Sequence, residues 1–131
     1  MTDPIADMLT RIRNAVVVKK SEIQLPCSNI KFGLAKILQR EGFIVEVEKV
    51  ERAGRPIGDL RLVLKYKKGQ SVIQGINRIS KPGRRVYFSY KDIPRTLPSL
   101  GVMIVSTSRG LMTNFEARQE KVGGEAMCEI Y

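Results

Sequence analysis

At 131 residues, with 43% hydrophobic and 27% charged side chains, the chain holds enough apolar material for a core and too much to stay disordered. Lysine and arginine number 23 against 13 acids, and the resulting +10 is spread along the chain, which points to a phosphate-bearing partner rather than a basic tail. There is no histidine, no apolar run near the roughly 20 residues of a membrane span, and no CxxC or zinc spacing around Cys27 and Cys128, so catalytic, membrane and metal readings start poorly.

Asp3 followed by Pro4 reads as a helix start, an N-cap acceptor before a residue whose fixed φ suits the first turn. Ile5, Met8, Leu9, Ile12 and Val16 recur at helical spacing and predict a buried stripe, which turns Thr10, Arg11 and Asn14 outward as a donor-rich face. That face reads equally as solvated surface or contact surface. Glu22 to Leu25 alternates as a short strand ended by Pro26. Ser28 can cap a second helix with Ile30, Leu34, Ile37 and Leu38 on one face and Gly42 as its left-handed stop. Val45 and Val47 against Glu46 and Glu48 give a half-buried strand over 43–50. Leu60, Leu62 and Leu64 give its partner, across a long connection marked by Gly54, Pro56 and Gly58. The first lobe therefore reads α-β-α-β-β, a small sheet with two helices over one face.

Lys67-Lys68-Gly69 is a polar turn, and it divides the chain into an N-terminal lobe, 1–68, and a C-terminal lobe, 69–131. The second lobe is predicted to be mostly antiparallel β, with strands over 72–79 and 85–90 joined by Lys81-Pro82-Gly83-Arg84. Pro94 and Pro98 keep 91–100 irregular, and Val102 to Val105 is continuously apolar, as in a strand buried on both faces. Thr113 and Glu116 match a capping box, which predicts a short helix from Asn114 to about Gln119, followed by Gly123-Gly124 and a last strand over 126–130. The fold class is α+β.

Three elements could carry function. Residues 78–91 hold Arg78, Lys81, Arg84, Arg85 and Lys91 with no acid, and Tyr87 and Tyr90 lie between them, a pattern suited to phosphates and base stacking. A merely solvated basic hairpin is the alternative. Ser106-Thr107-Ser108-Arg109-Gly110 follows the buried strand and sets three hydroxyls and a guanidinium on one turn, donors and acceptors that suit base edges, 2′-hydroxyls and phosphate oxygens. Alone, such a turn before a helix is more often capping chemistry than a site. Gly123-Gly124-Glu125 reads first as a tight turn, or else as close-approaching backbone with Glu125 accepting from a base or orienting an arginine. A hydrolase built on Ser106 or Cys27 is disfavoured, since no histidine, Gly-x-Ser-x-Gly elbow or phosphate-binding glycine loop is present.

The run Val105-Ser106-Thr107-Ser108-Arg109-Gly110-Leu111-Met112-Thr113, followed by Ala117-Arg118 and Gly123-Gly124-Glu125, closely resembles the C-terminal signature of the family of the eighth small-subunit ribosomal protein. Residues Asp3 to Ala15 resemble the opening of its bacterial-type members, and the likeness extends through Glu41-Gly42-Phe43-Ile44 and Ser80-Lys81-Pro82-Gly83. Lys49 to Gly58 is the part without a match. The resemblance implies a two-lobed body, without cofactor or catalysis, that binds the central domain of small-subunit rRNA early in assembly. It implies base and sugar contacts from Ser106, Thr107 and Ser108, with Arg109 on the same turn and Gly124 and Glu125 beside it. Lys81, Arg85 and Tyr87 would hold phosphates, and Thr10, Arg11 and Asn14 of the first helix would approach neighbouring backbone. Expected partners are that rRNA, neighbouring small-subunit proteins and, as in several family members, the chain's own operon messenger, with no membrane partner. The expected place is a cytoplasmic ribosome, with an organelle-encoded ribosome and a free RNA-binding regulator left as alternatives.

Overall fold

The computed structural model describes residues 3–131, and at 55–57 the backbone alone. Helices and antiparallel sheets divide between two packed units, one spanning Asp7–Ile73 and the other Gln74–Tyr131 with the residues up to Ala6. The fold is α+β, as the sequence pattern predicts.

In the first unit α1 (Pro4–Val17, whose first turn belongs to the other unit), β1 (Glu22–Pro26), α2 (Asn29–Arg40), β2 (Ile44–Arg52) and β3 (Arg55–Leu64) follow in the predicted order. The sheet is antiparallel in the order β1-β3-β2. Leu25, Leu60, Leu62 and Leu64 are buried while Glu22, Glu46 and Glu48 are exposed, so period-two alternation separates an apolar face from a charged one. On the charged face Arg61 donates to Glu48 at 2.6 Å and to Glu22 at 2.5 Å. A Leu buried completely contributes about 2 kcal/mol, which makes this row a main source of the unit's stability.

Four local expectations are corrected here. Val16 is only half-buried, because the last turn of α1 runs into solvent with Val17 and Val18; Ala15 is buried instead. On α2 the buried positions are Lys31, Leu34, Ala35, Ile37 and Leu38, and Ile30 lies exposed at the edge. The Lys31 stem is covered while its ammonium donates to the Pro26 carbonyl oxygen at 3.4 Å. Val45 is exposed because a bulge between Ile44 and Glu46 shifts the pairing. The connection between β2 and β3 is tight, since Arg52 pairs with Arg55. Gly54 (φ 82) makes the turn, and Gly58 (φ 80) sits inside β3 where the register shifts, so the glycines punctuate a bulged hairpin. The predicted helix stop holds: Gly42 (φ 86) follows the cap, and the Phe43 amide donates to the Leu38 carbonyl at 2.8 Å.

A two-stranded ribbon, β4 (Tyr66–Lys67) with β5 (Gln70–Ser71), surrounds the Lys68-Gly69 turn and completes this unit. The strand predicted over 72–79 is confined to β6 (Ile76–Arg78), because the Gln74 and Gly75 amides instead donate to the Tyr131 carbonyl at 2.7 and 2.9 Å. The strand predicted over 85–90 shrinks to β7 (Tyr87–Phe88). Here the buried Ser80 hydroxyl takes the place of a ladder partner, accepting from the Val86 amide at 2.8 Å.

The second unit is completed by β8 (Val102–Thr107), β9 (Gly110–Thr113), α3 (Asn114–Gln119) and β10 (Gly124–Ile130), with sheet order β6-β10-β8-β9 and β7 on the edge of β10. Val102 to Val105 is buried throughout. Met103 and Val105 join Ile93, Leu97, Met112, Ala117 and Ala126 in one cluster, against which Val86 and Phe88 pack. The capping box is present: Thr113 accepts from the Glu116 amide at 3.2 Å and Glu116 accepts from the Thr113 amide at 3.1 Å.

Asp3 caps α1 through the Ala6 amide at 3.2 Å and also accepts from Arg78 at 3.1 Å. Burial acts to raise its carboxyl, but the Arg78 hydrogen bond and charge with the Ala6 and Ile5 amides outweigh it and leave the group below its ordinary 3.8. A carboxyl depressed in the folded state adds stability that is present above the unfolded value and lost as pH falls through the folded one. Asp3→Asn keeps a cap but leaves Arg78, with a side chain 9% exposed, short of its counter-charge. It should cost about 2 kcal/mol at neutral pH and flatten the stability curve below pH ~4, as read by urea unfolding across pH.

Candidate nucleic-acid interface

The serine-rich segment is a hairpin. β8 is longer than the apolar run suggests, so Ser106 and Thr107 are strand residues paired with Leu111 and Gly110, and Ser108 and Arg109 alone form the tip. Thr107 holds this turn together: its hydroxyl donates to the Gly110 carbonyl at 2.8 Å and accepts from the Arg109 amide at 3.0 Å. It is therefore occupied, whereas the Ser106 and Ser108 hydroxyls have no partner among the described residues. The unsignalled element was β9, whose Leu111 and Met112 look like a helix approach in sequence; only the pairing with β8 makes them a strand.

Pairing across β10 places the other expected residues beside this hairpin. Glu125 lies between Tyr87 on β7 and Ser106 on β8, so the three side chains share one face of the sheet. The opposite face carries Val105 and Ala126 of the core cluster. Gly124 is required by close approach, since a Cβ there would run into the Ser106 carbonyl oxygen. Glu125 accepts from Arg85 at 3.0 Å. Arg109 donates to Glu120 at 3.3 Å. Exposed pairs of this kind contribute under about 1 kcal/mol, so both guanidiniums can be redrawn onto phosphate oxygens at small loss. Tyr87, 67% exposed, presents a ring that can stack or a hydroxyl that can donate.

Lys81 and Arg84 bond to each other's backbone at 3.0 and 2.9 Å, making a closed loop fastened below by Ser80. Lys81, Arg84 and Arg85 are exposed on it. Arg78 does not join them, because its guanidinium is tied to Asp3 and to the Met127 carbonyl at 2.6 Å. Arg118 is also structural, donating to the Tyr90, Lys91 and Ile93 carbonyls at 3.4, 3.3 and 2.7 Å. In the other unit Thr10, Arg11 and Asn14 lie on the exposed side of α1, where Arg11 donates to Asp7 at 3.1 Å.

Burial pushes the Cys128 thiol up to about 12, so it stays protonated in the core. Among the described residues no group of three histidine, cysteine, aspartate or glutamate side chains could hold a metal ion, and no helix is long and apolar enough to cross a membrane.

The ribosomal protein S8 family model matches residues 3–131. The small ribosomal subunit protein uS8 of Rhodopirellula baltica is 53% identical over 131 residues, covering 99% of this chain and 98% of that protein. Proteins of the same name from an Exiguobacterium strain and from Halothermothrix orenii are 55% and 48% identical, each covering all of this chain and 98% of their own length. The hairpin, its flanking glycine and the capped helix thus stand in a chain that belongs, over nearly its whole length, to the ribosomal protein S8 family, structural proteins rather than enzymes.

Proposed function

We propose that the chain is a component of the small ribosomal subunit that binds the central domain of small-subunit rRNA and aids its assembly. The observation that carries this reading is the pair of unpartnered hydroxyls, Ser106 and Ser108, on a hairpin braced by Thr107 and flanked by the Glu125-held Arg85. A regular A-form helix hides its base edges in a deep groove, while an irregular internal loop exposes edges and 2′-hydroxyls to short side chains. Hydroxyls on a rigid tip suit that loop, and arginine and lysine around them supply attraction to phosphates. A messenger folded into the same loop would meet the same groups, so repression of the chain's own operon follows from one recognition chemistry. Neighbouring small-subunit proteins complete the set of partners.

Filter binding tests the reading: a central-domain rRNA fragment should outcompete a random duplex of equal length, and equal affinity for the two would sink it. In the same assay Arg85→Ala should lower the slope of log affinity against log salt by roughly one unit while keeping the preference between the RNAs. Gradient sedimentation should find the protein in the small-subunit peak, where a free regulator would be absent.

A further inference from the structure

A strongly charged surface lies apart from the hairpin, in the unit Asp7–Ile73. After α1 the chain turns through Lys19 and Lys20, while Lys65, Lys67 and Lys68 lie on and beside the β4–β5 ribbon. The Tyr66 hydroxyl donates to the Lys20 carbonyl oxygen at 2.6 Å, and the Leu64 amide donates to the Ser21 carbonyl at 2.9 Å. Two stretches separated by 46 positions are thereby fastened side by side. Burial raises the Tyr66 phenol above its ordinary value, which keeps it a donor at neutral pH.

All five lysines are exposed, and none has a carboxylate partner among the described residues. Glu22, the nearest acid in sequence, is bonded to Arg61 at 2.5 Å. Lys19 (φ 56) and Lys68 (φ 53) occupy the left-handed region, where a residue with a Cβ is disfavoured by roughly 1 kcal/mol or more. Glycine would suit both turns better, and what lysine adds is charge. Five unpaired ammonium groups on two stretches fastened side by side raise the local positive potential, which a polyanion would lower. Ammonium groups on flexible stems act as point charges toward phosphate oxygens and do not read base edges.

We propose that Lys19, Lys20, Lys65, Lys67 and Lys68 form a second RNA contact that grips the phosphate backbone of a helical segment without reading its sequence. This rests on the chain's being an RNA binder, and it divides the work between two surfaces: the hairpin discriminates and the lysine patch holds.

The test compares two charge-matched double variants of the full chain, Lys67→Gln with Lys68→Gln, and Lys36→Gln with Lys49→Gln, on the central-domain fragment and on a random duplex. The first pair should lower the salt slope by about two units on both RNAs and keep the preference between them; the second should leave the slope at the wild-type value. Restoring charge with Lys67→Arg and Lys68→Arg should restore the slope. Equal slopes for the two glutamine variants would overturn the inference. So would a wild-type slope in a patch variant that no longer enters the small-subunit peak, which would assign the patch to an acidic protein. Wild-type protein that lacks preference for the central-domain fragment would sink the proposed function instead, with the slope comparison still readable on either RNA.

Discussion

Replacing Ser106 and Ser108 together with alanine should weaken binding to the central-domain fragment by roughly a hundredfold while leaving the salt slope unchanged. Neither hydroxyl has a partner among the described residues, so their loss breaks no contact seen within the fold and removes only the proposed contacts to RNA. Two hydrogen bonds of about 1.4 kcal/mol each account for the factor. Thr107 behaves differently. Its hydroxyl closes the turn against Gly110 and Arg109, so Thr107→Ser should bind like wild type and Thr107→Val should lose the turn. Filter binding at several salt concentrations, with circular dichroism for the fold, reads all three. A double serine variant that flattened the slope without losing preference would reverse the roles assigned to hairpin and basic loop.

Asn114→Ala should destabilise the protein by about 3 kcal/mol, the largest expected effect of a single substitution on its stability. Asn114 is fully buried at the start of α3. Its side-chain oxygen accepts from the Met103 amide at 3.2 Å, and its nitrogen donates to the Pro94 and Arg95 carbonyls at 2.9 and 3.2 Å. One side chain thus joins the central strand to the proline-bearing segment that has no regular structure of its own. Alanine strands the buried Met103 amide, at about 1–3 kcal/mol, and takes from the part-buried Pro94 and Arg95 carbonyls their shared donor. Urea unfolding measures the loss, and a change under about 1 kcal/mol would mean that the segment is anchored elsewhere. Asn114→Asp should also destabilise, since a carboxylate cannot donate to the carbonyls.

Much of the molecule is legible in local chemistry. The Asp3-Pro4 start, the Ser28 and Thr113 caps and the Gly42 stop each depend on groups within a few positions, and all are present. Errors arise where a distant strand sets the outcome. Val45 faces solvent because β3 imposes a bulge, and the Val86 amide finds the Ser80 hydroxyl while its carbonyl accepts from the Ala126 amide of β10. In the basic run 78–91, Arg78 carries the same charge as Lys81 and Arg85, yet its side chain, 9% exposed, is paired with Asp3, 75 positions away, and no local signal marks the difference.

The candidate interface divides along the same line. Composition and charge pointed to a phosphate-bearing partner, and the joined motifs of the family resemblance, not the Ser-Thr-Ser run alone, pointed to the candidate segment, because hydroxyls, guanidiniums and ammonium groups bring their chemistry wherever they stand. Tertiary structure decided which of them are available. Pairing of β8 with β9 commits the Thr107 hydroxyl to its own turn, pairing with β10 sets Glu125 and Tyr87 beside Ser106, and Glu125 holds Arg85. Availability is a matter of what lies within hydrogen-bond reach, and across a sheet that neighbour comes from another strand, chosen by register and not by sequence order.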